Sequence, residues 1–310
     1  MGVEMQSRMA LAVTTVFIAG FGGAGASLAQ PGPAAPTLAA ATQARPGQTS
    51  AEVVVGVPAQ TREDEIDDLR RYVSETTTTT TLSDGAIHLR RNRQQFDLQT
   101  IAVTANGLLL RFILRDSEAE DVEQPYLGAL IGAWKDIPLE VATTRSGAPE
   151  RIVNWPRARD AYVEALARLA PNDAEVAAGV VNAFNGMEEG PRAAAVVADL
   201  LLLSSAQPRG MVREGRIEVP ATSVAANPNV SVSRFAEFRQ DDGSTCTARF
   251  SSGTTMTASS QPISTTESLQ STLSTYDGWV VSLEQTSETT APAGRMQKVV
   301  TITRDAPGCG

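Results

Sequence analysis

Apolar and polar residues alternate with a period of two over most of the chain beyond Arg70. They switch to a helical period only between about Tyr126 and Ala206. In "LLLRFILRD", Leu108, Leu110, Phe112 and Leu114 share one face and Arg111 and Arg115 share the other, the pattern of a strand with one buried side. The run Thr76 to Thr81 looks like filler. Threonine, however, is β-branched and suits a pleated surface, and no Gly, Ser or Pro interrupts it. It predicts a long strand from Arg70 to Leu82, turning at Asp84-Gly85. The partner strand carries Ile87 and Leu89 on one face, Phe96 and Leu98 on the other, then Ile101 and Val103 back on the first. Such switches predict a bulge or break near Arg93 and another near Thr100. Asn106-Gly107 is a further tight-turn signal.

The middle of the chain predicts a short apolar helix in "QPYLGALIGAWKD" and a hairpin in "PLEVATTRSGAPERIVNW", turning at Ser146-Gly147. Three helices follow. "PRARDAYVEALARLA" repeats its apolar residues at helical spacing, and "NDAEVAAGVVNAFNG" opens on a capping-box arrangement of Asn172 and Glu175 and stops at Gly186. "GPRAAAVVADLLLLSSA" begins with Pro191 at the first helical position and is apolar from Ala193 to Leu203 except for Asp199, so it is expected to be buried on most sides or to line a cavity. From Ile217 to Arg304 six more strands are expected, with hairpin turns at Asp242-Gly243 and Asp277-Gly278. Strands, then helices, then strands read as an α+β fold: a large curved antiparallel sheet with a central three-helix block packed against it.

The N-terminus breaks this pattern. A polar start with Arg8, an apolar run from Met9 to about Phe21 and the ending Ser27-Leu28-Ala29 read as a signal peptide over residues 1–29. Residues 30–62 are rich in Pro, Ala and Gly and read as a disordered linker, leaving 63–310 as one α+β domain. The acidic cluster from Glu63 to Asp68 reads as a solvated lead-in to the first strand. Export carries the expectations that follow from it: a periplasmic or secreted location, no membrane span in the mature chain, and a disulfide between the chain's two cysteines, Cys246 and Cys309. That bond would close a loop of about 60 residues and stabilise the fold by about 4 kcal/mol in the chain-entropy account.

Charge and composition remove several chemistries. A net charge of −9, with Lys135 and Lys298 the only lysines, argues against nucleic-acid binding. One histidine, His88, and no Gly-x-Ser-x-Gly elbow argue against a nucleophilic triad. One histidine with two paired cysteines does not make a zinc site, and no phosphate-cradling or dinucleotide fingerprint occurs, so neither metal nor cofactor is expected. A carboxylate-dependent hydrolase stays open because acids are plentiful. The cluster Asp116 to Glu123, after a strand, reads as a solvated loop. Two groups are candidate ligand contacts. Tyr126, Trp134, Trp155 and Tyr162 cluster around the helical middle, where they can line an apolar pocket. Arg91 and Arg93 share a strand face, where they can hold an anionic group or pair with Glu75.

The stretches "SGAPERIVNW" (Ser146 to Trp155) and "YDGWVVSLEQTSET" (Tyr276 to Thr289), set among Thr-rich strands and a central helical block, resemble a type of exported bacterial envelope protein. The architecture has a looser likeness to half-barrel carriers of lipoproteins, in which helices lid a sheet around an apolar cavity. The first resemblance implies an exported envelope protein acting by binding or structural support. The second implies a carrier or sensor of an apolar ligand, a lipid or lipoprotein, held between sheet and helices.

Overall fold

A computed structural model describes residues 63–121, 126–170, 174–207, 215–224, 227–240, 246–258 and 263–305. The signal peptide and linker read from residues 1–62 lie outside the described residues, as do Cys309, Asn172 and the Asp242-Gly243 turn.

Three long strands open the fold: β1 (Leu69–Leu82), β2 (Ile87–Val103) and β3 (Gly107–Asp121). After helix α1 (Leu127–Gly132) comes the short hairpin β4 (Leu139–Thr144) and β5 (Pro149–Ile152). Four helices follow: α2 (Trp155–Leu169), α3 (Ala174–Gly186), α4 (Glu189–Val196) and α5 (Ala198–Ser205). The chain ends in β6 (Gly215–Val224), β7 (Asn227–Gln240), β8 (Thr247–Ala258), β9 (Ile263–Ser274), β10 (Val280–Ala291) and β11 (Gly294–Thr303). All eleven strands form one antiparallel sheet in the order β5-β4-β3-β2-β1-β11-β10-β9-β8-β7-β6, open at β5 and β6 among the described residues. Local hairpins build nearly all of it. The exception is β1 against β11, which joins the two halves over the whole length of the folded chain.

The threonine run lies at the middle of the sheet. Each of its residues pairs with β2 on one side and β11 on the other. It is folded because its backbone is satisfied on both edges. On β1, Arg70, Tyr72, Ser74 and Thr78 point to one face and are buried, while Leu69, Arg71 and Glu75 on the other face are exposed. We call the first the inner face. Tyr72 stacks on Phe96 at 5.3 Å between ring centres, and Phe96 on Phe112 at 4.8 Å. Leu283, Val300 and Ile302 continue the same face across β10 and β11.

Both bulges exist, with a different consequence from the one expected. The register of β2 against β3 slips between Gln95 and Phe96 and again between Thr100 and Ala102. In the first the extra residue, Arg115, belongs to β3. The facing of β2 against β1 therefore never switches there, and Ile87 and Leu89 stay on the outer face, 69% and 46% exposed. The bulge instead lets Leu114 and Ser117, three positions apart on β3, both face inwards.

Several sequence readings need correction. The helical block is not three helices, because the third divides at Val197, whose φ of −118° and ψ of 55° leave the helical region. Two adjacent β-branched residues weaken the helix only slightly. Packing decides the break: it re-aims α5 so that Leu200, Leu203 and Ala206 are buried. Pro191 is the third residue of α4, within its first turn, and not its first. The acidic cluster after β3 is not a solvated loop as far as Asp121. The strand runs that far, and Arg90 donates from Nε to Asp121 Oδ2 at 2.6 Å. Part of the acidic lead-in is not solvated: Asp64 and Asp68 are half-buried, while Glu63, Glu65 and Asp67 stay exposed. Arg70, 3% exposed, donates to Asp64 Oδ1 at 2.5 Å, to Asp68 and Asp277 at 3.4 Å, and to Thr100 Oγ1 at 3.2 Å.

The two stretches that carried the resemblance meet in space. Gly147 has φ +77°, and a Cβ on it would sit 2.9 Å from the Trp279 ring, which is itself buried. Gly147→Ala is expected to lose about 1–3 kcal/mol, from the left-handed backbone and the displaced indole together. Denaturant midpoints check this.

Candidate functional site: a polar recess under helix α5

Helix α5 lies across the inner face. At one end Ser74 on β1 donates its hydroxyl to Asp199 Oδ1 at 3.0 Å, and at the other Ser271 on β9 donates to the Ala206 carbonyl at 2.9 Å. Ile302 and Leu283 bridge these serines in register, so one row of the sheet is capped by the helix. Towards the β1–β2 and β10–β11 turns the composition of the face changes. One register row reads Asp121, Arg90, Thr78, Lys298, Ser287, Glu267, Thr254, Arg234 from β3 to β7. It is a band of charges and hydroxyls across eight strands. It exists because inward-facing positions that are apolar in the rows beside α5 are here filled by polar residues.

Asp199, Lys298 and Glu267 form the centre of the band. Each is half-buried, yet burial is the leading cause of the shift each shows. Asp199 is pushed above the usual carboxylate range, opposed by the Ser74 hydrogen bond and the Lys298 charge. Glu267 is raised likewise, opposed by Gln285, Lys298 and Arg234; Gln285 Nε2 donates to its Oε1. Lys298 is pushed below the usual ammonium range, opposed by Asp199 and Glu267. Each keeps partial access to solvent while the packing around it disfavours its charged form.

Two polar atoms beside this centre are buried with no hydrogen-bond partner among the described residues: Thr78 Oγ1 and Asn92 Oδ1. Thr78 is 6% exposed and lies directly opposite Lys298 on β11. Asn92 occupies the next inner position along β2 from Arg90. A buried polar atom left unpaired costs about 1–3 kcal/mol, so native proteins keep few of them.

These shifts set a pH dependence. Between the ordinary carboxylate range and the raised values of Asp199 and Glu267, the folded chain holds more protons than the unfolded one. Stability therefore falls as pH rises through that window. For Lys298 the folded chain holds fewer protons between its lowered value and the ordinary ammonium range, so stability rises with pH there. Ser74, Gln285, Arg234 and the three charges themselves, Asp199, Glu267 and Lys298, are the groups that oppose the shifts. Asp199→Asn is expected to flatten the acidic limb of stability against pH, read by urea midpoints at successive pH values.

The residues singled out from the sequence fall elsewhere. Trp134, Trp155 and Tyr162 come together with Phe184. Trp134 stacks on Tyr162 at 4.1 Å, Trp155 meets Phe184 edge-on at 5.9 Å, and the Tyr162 hydroxyl donates to the Leu130 carbonyl at 3.2 Å. Tyr126 packs against the hydrophobic core to which Trp155, Tyr162 and Phe184 belong. The rings fill the space between α1, α2 and α3 with one another. Arg91 and Arg93 lie on the outer face of β2, away from the aromatics. Arg93 meets Glu75 at 3.4 Å, and Glu118 and Glu120 face Arg93 and Arg91 across the β2–β3 pair. Cys246 precedes β8 with φ +49° and accepts the Thr275 backbone N–H at 2.8 Å. His88 occupies an inner position of β2 opposite Thr80. Among the described residues no group of three His, Cys, Asp or Glu is placed to hold a metal ion. Among the described residues no helix is long and apolar enough to cross a membrane.

On the outer face an open cleft of about 590 Å³ runs beside Arg71, Asp97 and Arg115. Asp97 in it lies 2.9 Å from Arg115 and 3.6 Å from Arg71.

No protein-family model matches the chain, and no curated protein does. Weak similarity exists to solved structures. Lipovitellin, in a structure concerned with its lipid–protein interactions, matches with a TM-score of 0.44 at 7% identity, covering 79% of this chain and 26% of that one. A protein described as exported, with a YmcC-like fold, from Bacteroides fragilis gives 0.23 at 10% identity over 76% of this chain and 95% of that one. A protein described as a lipoprotein from Parabacteroides distasonis gives 0.23 at 8% identity over 81% of this chain and all of that one. This chain thus spans about a quarter of the length of the lipovitellin chain.

Proposed function

We propose that this chain is an exported protein of the cell envelope that works by binding, and that its ligand seat is a polar recess beside α5 on the inner face of the sheet. The carrying observation is the pair of unpartnered buried atoms, Thr78 Oγ1 and Asn92 Oδ1, beside a desolvated Lys298. A recess that holds polar groups without partners gains free energy when a ligand supplies them, which is the energetic condition for a binding site. Export rests on the N-terminal pattern, and the disulfide between Cys246 and Cys309 belongs to the same reading.

A hydrolytic reading has one observation behind it: Asp199 and Glu267 are two carboxylates with raised pKa values around one recess. The binding reading accounts for more, because it also employs Thr78, Asn92 and the desolvated ammonium.

Mass spectrometry of the intact protein, purified from the envelope under native conditions, tests the proposal. The expected spectrum shows a chain lacking the first 29 residues, both cysteines oxidised, and a bound small molecule that Lys298→Met no longer carries. A ligand-free protein, or one whose ligand survives Lys298→Met, would overturn it. Turnover of that molecule abolished by Glu267→Gln would instead establish the hydrolytic reading.

A further inference from the structure

The order of groups in the band says what kind of ligand fits. From β1 to β9 the inner row presents the Thr78 hydroxyl, the Lys298 ammonium, the Ser287 hydroxyl and the Glu267 carboxylate, with Asp199 of α5 beside Lys298. Adjacent strands stand about 4.8 Å apart, so the backbones carrying Lys298 and Glu267 are separated by about 10 Å. The recess is therefore a row with a cationic and an anionic pole. A lone anion at Lys298 meets Asp199 and Glu267 as like charges, and a lone cation at Glu267 meets Lys298 and Arg234. A ligand carrying both charges a few ångströms apart meets an opposite charge at each end. The unpartnered Thr78 hydroxyl lies on the far side of Lys298 from Glu267 and supplies a donor where the anionic end would lie.

From β1 to β7 the next inner row towards the turns carries no charged side chain, and His88 extends it on β2. It reads Thr80, Met296, Thr289, Thr265, Met256, Val232. The methyl groups of threonine and the soft thioethers of methionine make a surface that an alkyl chain can follow.

Resting on the binding reading above, we infer that the recess takes a zwitterionic amphiphile. Its anionic group lies between Thr78 Oγ1 and Lys298 Nζ, its cationic group faces Glu267, and its tail follows the Thr80–Met296–Met256 row.

The test uses the exported full chain, stripped of any ligand. Four amphiphiles with the same twelve-carbon tail are titrated below their micelle concentrations: dodecylphosphocholine, dodecyl maltoside, sodium dodecanoate and dodecyltrimethylammonium. Free phosphocholine serves as the headgroup without a tail. Native mass spectrometry and calorimetry read stoichiometry and affinity. The expected result is one dodecylphosphocholine per chain, bound at least ten-fold more tightly than the other three tails and than phosphocholine. Lys298→Met should weaken it ten-fold or more, and Arg93→Ala on the outer face should leave it unchanged. Equal binding of all four tails, or tightest binding of a singly charged or uncharged one, would overturn the inference. So would phosphocholine binding as tightly as the tailed molecule. If Lys298→Met loses the envelope-derived molecule while none of the four tails binds, the zwitterion is wrong and the recess still stands as the seat. If that molecule also survives Lys298→Met, both fall.

Discussion

Arg70→Met is expected to cost about 3–5 kcal/mol, because it removes one partner from a buried ionic network and leaves the others uncompensated. Arg70 holds the lead-in, the sheet and the β9–β10 turn together. Its guanidinium reaches Asp64, Asp68 and Asp277 and lies 4.6 Å from the centre of the Trp279 ring, whose Nε1 donates to Asp64 at 2.7 Å. Arg304 at the end of the sheet closes the circuit, donating to Asp277 Oδ1 at 2.8 Å and to the Trp279 carbonyl at 3.1 Å. Methionine keeps the volume of the stem, so the loss reads the charge and not a cavity. At about 2–4 °C per kcal/mol for a domain of this size, the melting temperature should fall by about 10 °C. A fall of less than about 3 °C would show that Asp64 and Asp277 find water when the arginine is gone.

Leu200→Ala should cost about 2–5 kcal/mol by the same thermal measurement. Leu200 is fully buried one residue from Asp199, and it anchors the turn of α5 that delivers the carboxylate to Ser74. The mutation therefore has a second expected consequence. Amide exchange should rise along α5, and the acidic limb of the pH–stability curve should flatten as it does in Asp199→Asn, because the desolvation of Asp199 depends on the helix being seated. Destabilisation with an unchanged acidic limb would show that Asp199 is held by something other than α5.

The sheet was largely legible in the sequence, since its strands come from local hairpins whose alternation and turn residues are short-range signals. The threonine tract is the clearest case: β-branching and an Asp-Gly end place it in a strand, and β1 runs from Leu69 to Leu82. What sequence could not show was pairing between distant strands. β1 lies against β11, and only that pairing puts Thr78 opposite Lys298. The break at Val197 was invisible for a related reason: nothing local stops a run of Ala, Val and Leu, and the packing of Leu200 and Leu203 on the sheet decides it. Single residues did carry a signal. Asp199 stood out as the one charge in an apolar helix, and Lys298 as one of two lysines in the chain. Thr78 carried none, because it is one of six identical residues in a row, which hides which of them faces a lysine. The aromatic residues attracted notice for their size, and three of them, with Phe184, form a cluster of stacked and edge-on rings between helices.

The account stands on one physical claim: the inner face keeps a buried hydroxyl without a partner so that a ligand can supply one. The most direct test is the thermal stability of Thr78→Val, measured on ligand-free protein beside its ability to retain the envelope-derived ligand. Valine keeps the shape and deletes the unpaired oxygen, so the ligand-free variant should be more stable than the parent by about 1–2 kcal/mol while losing the ligand. A variant that melts lower than the parent and keeps the ligand would mean that the hydroxyl is already satisfied, and would contradict the account.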